Sequence, residues 1–291
     1  MEDLTVYGGT GFVGRNYLKH YSAIKQPRYK ILSDTANILY CISTVDNYNI
    51  FDDPHLDINT NLNFLIDVLE LWRKHTINGC FNFLSSWFVY NDRFGASCPA
   101  SEVDPCNPKG FYSVTKLAAE GLLRSYCETY NLKYRILRLS SVLGPDASFS
   151  PKKNALQYLI DEMAHDRDIK LYNWGYFYRN FIHVNDCVNA IELIMNKGDK
   201  NIIYNIGSKR STLFANAITY ARGGLHSKSR ISNMSPSDFH KVVQIEDFHM
   251  NTNRLRSLGF GYQYDDTESI VWDILKTKYL NGEREQFNNN Q

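Results

Sequence analysis

A tyrosine and a lysine four residues apart, Tyr112 and Lys116, lie in the stretch NPKGFYSVTK. On a helix, positions i and i+4 share one face, so the lysine ammonium would sit beside the phenol. A neighbouring positive charge favours the ionised phenol. A tyrosine with an ordinary pKa of about 10 then becomes a usable acid and base around neutral pH. The same spacing on an exposed helix is an ordinary surface pair. Here the pair follows, one loop later, the run NFLSSWFVYN, in which Ser86 ends an apolar stretch. That placement changes what the pair can mean.

A second constellation stands near the start of the chain. VYGGTGFVG carries glycines at 8, 11 and 14 directly after the apolar run LTVYG. Such a turn lets the backbone approach a pyrophosphate and aims a helix N-terminus at its charge, so Gly8, Gly11, Phe12, Val13 and Gly14 are expected to hold a dinucleotide. An acidic residue about 20 positions further on would bind the adenosine ribose of NAD. Asp34 stands at that distance, and a turn aspartate is the equal alternative. Arg15 could instead meet a 2′-phosphate, so NAD and NADP both remain open.

The elements that must position these residues follow from periodicity. Short apolar runs alternate with helical patterns, as in βαβ units feeding a parallel sheet. Strands are expected at 4–8, 29–33, 37–43, 81–86, 134–144 and 202–207, with a strand or turn at 181–184. Helices are expected near 12–21, 60–75, 112–130, 154–165 and 186–197. Only 27 residues separate Gly14 from Cys41, too few for two further strands and a helix. One edge of the sheet should therefore be shortened. The expected architecture is α/β: a Rossmann-type doubly wound parallel sheet over 1–145 and 177–207, with a small C-terminal substrate lobe from 146–176 and 208–291.

Composition narrows the function classes. The 291 residues are 43% hydrophobic, enough for a substantial core, and 32 basic residues nearly cancel 31 acidic ones. That balance gives no basic stripe for nucleic acid. No apolar run reaches the roughly 18 residues of a membrane span, and the first residues lack a signal-peptide pattern. Six scattered cysteines without CxxC spacing argue against structural zinc or a disulfide framework. A reduced, soluble, cytoplasmic protein without metal is expected.

Taken in order, GGTGFVG, CISTV, NFLSSWFVYN, NPKGFYSVTK, LRLSSVLGP, YRNFIHVND and YNIGS resemble the extended short-chain dehydrogenase/reductase family. More narrowly, they resemble its NAD-dependent epimerase/dehydratase group, which modifies nucleotide sugars. The resemblance implies that Ser86 binds the reacting sugar hydroxyl, Tyr112 is the acid/base, and Lys116 binds the nicotinamide ribose and tunes the tyrosine. It places Cys41, Ile42, Ser43 and Asn59 on the cofactor, and Ser141 and Arg179 on the sugar diphosphate side. It also implies a homodimer through the helices near 60–75 and 112–130.

Departures from the family pattern carry information of their own. Where 4,6-dehydratases place an acidic pair, this chain has Trp87 and Phe88, whose rings cannot transfer protons at carbons 5 and 6. Trp87 can stack on the sugar or simply pack in the core. Asn180 replaces an aspartate after Arg179. Cys106 has no partner histidine of the kind that 3,5-epimerisation requires, and His183 reads as structural. The expectation is an NAD- or NADP-dependent nucleotide-sugar enzyme that transfers hydride at carbon 4, either a 4-epimerase or a 4-keto-sugar reductase. The alternatives are a reductase of a small non-sugar carbonyl and a non-catalytic NAD(P)-binding regulator.

Overall fold

The computed structural model describes residues 4–27, 35–45, 47–75, 78–90, 98–145, 154–243 and 247–280. The chain begins with β1 Leu4–Tyr7, α1 Phe12–His20, β2 Ile24–Gln26 and β3 Asn37–Tyr40. Two short helices, α2 Asn49–Asp52 and α3 Pro54–Ile58, lead through a π-helical turn at Asn59–Asn63 into α4 Phe64–His75. There follow β4 Cys80–Ser86, α5 Phe111–Thr129 and β5 Lys133–Leu139. The middle of the chain holds β6 Ser141–Leu143, α6 Ala155–Ala164, β7 Ile169–Tyr172, β8 Tyr178–Arg179, β9 Phe181–His183, α7 Val184–Lys197 and β10 Ile202–Ile206. The last part contains β11 Thr212–Leu213, α8 Phe214–Gly224, β12 Ile231–Met234, α9 Asp238–Val243, α10 Asn253–Ser257 and α11 Thr267–Leu275.

Six strands form one parallel sheet in the order β10-β5-β4-β3-β1-β2. Helices cover both faces, which is why β4 is buried along its whole length, including its polar residues Asn82, Ser85 and Ser86. Side chains alternate across the pleat. Leu4, Val6 and Leu137 meet Tyr17, Val188 and Ile191 of α1 and α7 on one face. Tyr7, Tyr40, Phe81 and Phe83 meet Leu65, Trp72, Ala119 and Leu123 of α4 and α5 on the other. A separate core around Leu156, Ile160, Phe214, Ile218, Ile270 and Ile274 is built by α6, α8 and α11.

Among the described residues, β2 spans three residues and is the outermost strand, beside β1, in keeping with the expected shortening. The strand expected at 29–33, together with Asp34, lies outside the described residues. Two other expectations are corrected. The run 134–144 is not one strand, because β5 stops at Leu139 and β6 pairs with β9 outside the main sheet. The hand-over is made by backbone bonds: Ser140 N donates to Ile206 O at 2.8 Å, and Ser141 N to Asn180 O at 3.2 Å. The helix expected over 60–75 is likewise divided by the π-helical turn.

The start of α5 is set by Gly110, which caps the helix in an extended conformation without a side-chain bond. A Cβ there would lie 2.1 Å from Asn47 Oδ1. A side chain there would force Asn47 to turn away, so glycine lets the loop after β3 press against the first turn of α5. Gly121, later in α5, is different: a Cβ added to it would meet nothing within 4 Å. Gly121→Ala should raise stability by about 0.5–1 kcal/mol through helix propensity and a less flexible unfolded chain. Thermal or denaturant unfolding of both proteins checks this, and a loss of stability would reveal packing on that face by another chain.

Candidate active site

The glycine turn lies where the strand order changes direction. From β1 the chain runs to β2 on one side and then returns to β3 on the other, which opens a crevice at the C-terminal ends of β1 and β3. Gly8 is left-handed, with φ of +82°, and a Cβ on it would come within 3.0 Å of the Cys41 carbonyl carbon and 3.1 Å of Ile42 N. Gly14 is tighter still: its Cβ would lie 2.5 Å from Gly8 O. Gly11 caps α1 and gives its own N–H to Gly8 O at 3.0 Å. The N–H groups of Phe12 and Val13 then have no intrahelical acceptor and point out of the helix end, as anion binding requires. Their side chains do structural work, with Phe12 against Gly144 and Val13 against the core. The cradle fits a dinucleotide pyrophosphate.

Ser86, Tyr112 and Lys116 converge where β4 ends and α5 begins. Ser86 is buried at the last position of β4, and its Oγ accepts from Phe88 N at 3.3 Å. Tyr112 occupies the second position of α5 and is 7% exposed, with the Phe88 ring edge-on to it at 6.4 Å. Lys116 follows one turn later, 2% exposed. Its ammonium donates to Leu84 O at 2.7 Å and sits 4.1 Å from the centre of the Phe83 ring. Burial pulls its pKa down to about 7, opposed first by the Glu120 carboxylate and then by Cys41. A lysine poised near neutrality is a group whose charge responds to what binds beside it.

The expected cofactor-side residues of the third strand are brought to the same place. Cys41 N donates to Tyr7 O at 2.8 Å, and Ile42 follows it against the Gly8 turn. The Cys41 thiol is pushed up to about 12 by burial, so it stays neutral. Ser43 Oγ donates to Asn61 Oδ1 at 3.0 Å. Asn61, not foreseen from the sequence, is the hub: its amide also reaches Thr44 Oγ1 at 2.8 Å and Thr115 Oγ1 at 2.9 Å on α5. Asn59 is exposed and accepts from Asn63 at 2.9 Å. The signal for Asn61 was its place one turn before Leu65 on the buried stripe Leu65, Val68, Leu69 and Trp72. Asp57 was also missed; its buried carboxylate accepts from Thr44 and from Asn49 at 3.1 Å.

On the opposite side, Arg179 is 6% exposed on β8. It donates to Tyr178 O at 2.7 Å, lies 4.4 Å over Phe177 and stands 5.6 Å from the Trp87 ring. Trp87 itself stacks on Phe88 at 4.1 Å and meets Phe248 at 4.7 Å, so it packs as core while carrying the arginine. Ser141 is held by the backbone bond to Asn180, whose side chain braces Ser208. His183 is structural: it caps α7 through Asn185 N, bonds Asp273 at 3.1 Å and stacks on Tyr264. Cys106 packs against the cluster of Trp87, Val89, Tyr90 and Phe248.

A doubly wound parallel sheet with a glycine cradle at its switch point, and Ser, Tyr and Lys at the same edge, defines an extended short-chain dehydrogenase/reductase. More particularly, the chain belongs to the NAD dependent epimerase/dehydratase family, whose model matches residues 32–207. A Methanocaldococcus jannaschii protein that carries the name UDP-glucose 4-epimerase is 27% identical over 62% of this chain and 57% of its own length. The match thus spans just over half of that relative. The dTDP-glucose 4,6-dehydratase of Mycobacterium tuberculosis is 28% identical over 82% of this chain and 80% of its own. Among solved structures, the UDP-glucose 4-epimerase of Thermotoga maritima with UDP-glucose superposes with a TM-score of 0.82 at 19% identity. That superposition covers 94% of this chain and 99% of the other, and it establishes the shared fold.

Gly14 of the cradle and Gly9, which stands between Gly8 and Gly11 in the same turn, should respond differently to substitution. Gly14→Ala drives a Cβ into backbone and should abolish dinucleotide binding. Gly9→Ala meets only side-chain atoms, of Leu18 and Lys25, and should bind normally. Fluorescence titration of each variant with NADH and NADPH is the measurement.

Proposed function

We propose that this chain is an NAD(P)-dependent enzyme that acts on a nucleotide sugar by hydride transfer at carbon 4, as a 4-epimerase or a 4-keto-sugar reductase. The observation that carries the reading is the convergence of Ser86, Tyr112 and Lys116 on the crevice that the glycine cradle opens. Gly8, Gly11, Gly14 and the N–H groups of Phe12 and Val13 would hold the pyrophosphate, and Cys41, Ile42 and Ser43 would line the cofactor. Asn59 stays a proposed cofactor contact by resemblance, and Asp34 by its spacing from the glycine turn. When bound, the nicotinamide supplies the hydride acceptor and donor.

The chain's own residues do the remainder. Ser86 fixes the sugar 4-hydroxyl, and Tyr112, ionised under the influence of the Lys116 charge, removes its proton. Returning that proton to a 4-keto group completes either epimerisation or reduction. Arg179, packed over Phe177 and beside Trp87, would pair with the sugar diphosphate, and Ser141 would flank it. Arg179 would discriminate between the two substrate classes, since a small carbonyl carries no diphosphate for it to pair with. Trp87 and Phe88 at the dehydratase acid positions favour chemistry that stops at carbon 4, although dehydratases are among the relatives. In this reading the sheet residues of 1–145 and 177–207 hold the cofactor. The lobe from 146–176 and 208–291 holds the sugar nucleotide. A cytoplasmic homodimer packed through α4 and α5 completes the proposal.

Two experiments test it. Tyr112→Phe should lower turnover by about 100-fold or more, the usual size of a lost acid/base, with the substrate KM little changed. Undiminished turnover in that variant would sink the mechanism. In a thermal-shift panel, UDP- or dTDP-sugars should raise the Tm of the wild-type protein, and Arg179→Ala should lose that protection while keeping the shift due to cofactor. Stoichiometric use of reduced cofactor would then select the reductase, and catalytic use the epimerase.

A further inference from the structure

Glu120 is 4% exposed and lies on α5 one i, i+4 step beyond Lys116, which is itself one such step beyond Tyr112. Its carboxylate takes Arg138 of β5 with both oxygens, from Nε at 3.0 Å and Nη2 at 2.7 Å. It also accepts from Ser85 Oγ of β4 at 2.5 Å. Ser85 immediately precedes Ser86. One carboxylate thus fastens the helix bearing Tyr112 and Lys116 to the strand that ends in Ser86 and to the strand beyond it. A buried ion pair is seldom better for stability than packed apolar residues, because both charges must be stripped of water. The cluster is therefore expected to serve something other than packing.

That service is found one turn back. The groups around the Lys116 ammonium are the Leu84 carbonyl and Phe83 ring of β4, the Cys41 thiol just after β3, and Glu120 of its own helix. The thiol is held neutral by burial, and the Arg138 charge is engaged by Glu120. Among the described residues, Glu120 is the carboxylate that acts on this ammonium. We propose that Glu120 is a positioning residue: anchored by Arg138 and Ser85, it keeps Lys116 charged and holds the Tyr112 helix in register with Ser86. The proposal deepens the functional reading above and rests on Tyr112 and Lys116 being the catalytic pair.

The test reads Lys116 directly and does not depend on turnover. Lysine labelled with 13C at Cε is titrated by NMR in the free protein, with Lys116→Met identifying the resonance. Wild type should titrate near the value of about 7 that burial imposes. Glu120→Gln should bring the midpoint down by about half a pH unit or more, as loss of a nearby opposite charge requires. Ser85→Ala, which removes a hydrogen bond but no charge, should leave the midpoint in place. If Glu120→Gln does not fold because Arg138 is left unpaired, Glu120→Gln with Arg138→Gln removes both charges and should still lower the midpoint. In the pH–rate profile the alkaline limb should move to lower pH by the same amount in the Glu120 variants. An unmoved Lys116 midpoint in whichever variant folds overturns the proposal. A lowered midpoint in a protein whose wild type turns over no nucleotide sugar supports the role of Glu120 and counts against the functional reading instead.

Discussion

The site depends on one buried contact, the ammonium of Lys116 on the carbonyl of Leu84. Placing an ammonium in a protein interior is costly unless it is bonded and partnered. The fold meets that cost with a carbonyl, an aromatic face and a carboxylate one turn away. The contact is also geometric. It ties the first turns of α5 to the last residues of β4, so the phenol of Tyr112 and the hydroxyl of Ser86 arrive at one sheet edge. Neither element could hold its residue there alone, since a helix end and a strand end are each free to splay.

A second constraint comes from close backbone approach. The turn after β1, the end of β3 and the first turn of α1 occupy nearly the same space, and Gly8 and Gly14 leave room for one another. The same economy recurs at Gly110, where Asn47 lies against the start of α5. Between these two places runs the Asn61 network, which links Ser43 and Thr44 after β3 to Thr115 beside Lys116. The residues after β3 and the first turns of α5 are thus braced through neutral hydrogen bonds. These position groups without adding charge near the phenol.

Much of this was legible in the chain itself. The glycine turn, the Tyr–Lys spacing and the apolar run ending in Ser86 are local features, and local features survive in sequence because spacing along a helix or strand translates directly into direction. The shortened sheet edge was readable from the 27 residues between Gly14 and Cys41, since chain length bounds what can be built. Less was readable where partners are distant. That Asn61 and not Asn59 turns inward depends on the π-helical turn and on Thr115, 54 residues away. The division of 134–144 into two strands depends on Ile206 and Asn180, which no local pattern announces.

The sequence by itself determined the doubly wound class, the glycine turn and the spacing of Tyr112 and Lys116 on one helix, because periodicity and residue spacing are properties of neighbouring residues. Only the tertiary structure decided how those side chains are charged and held. Lys116 lies near neutrality because strands β3 and β4 bury it, and Glu120 acts on it because Arg138 and Ser85 pin the carboxylate in place. Burial and electrostatic pairing are set by what surrounds a residue in space, so they come into being only when the sheet and its helices close.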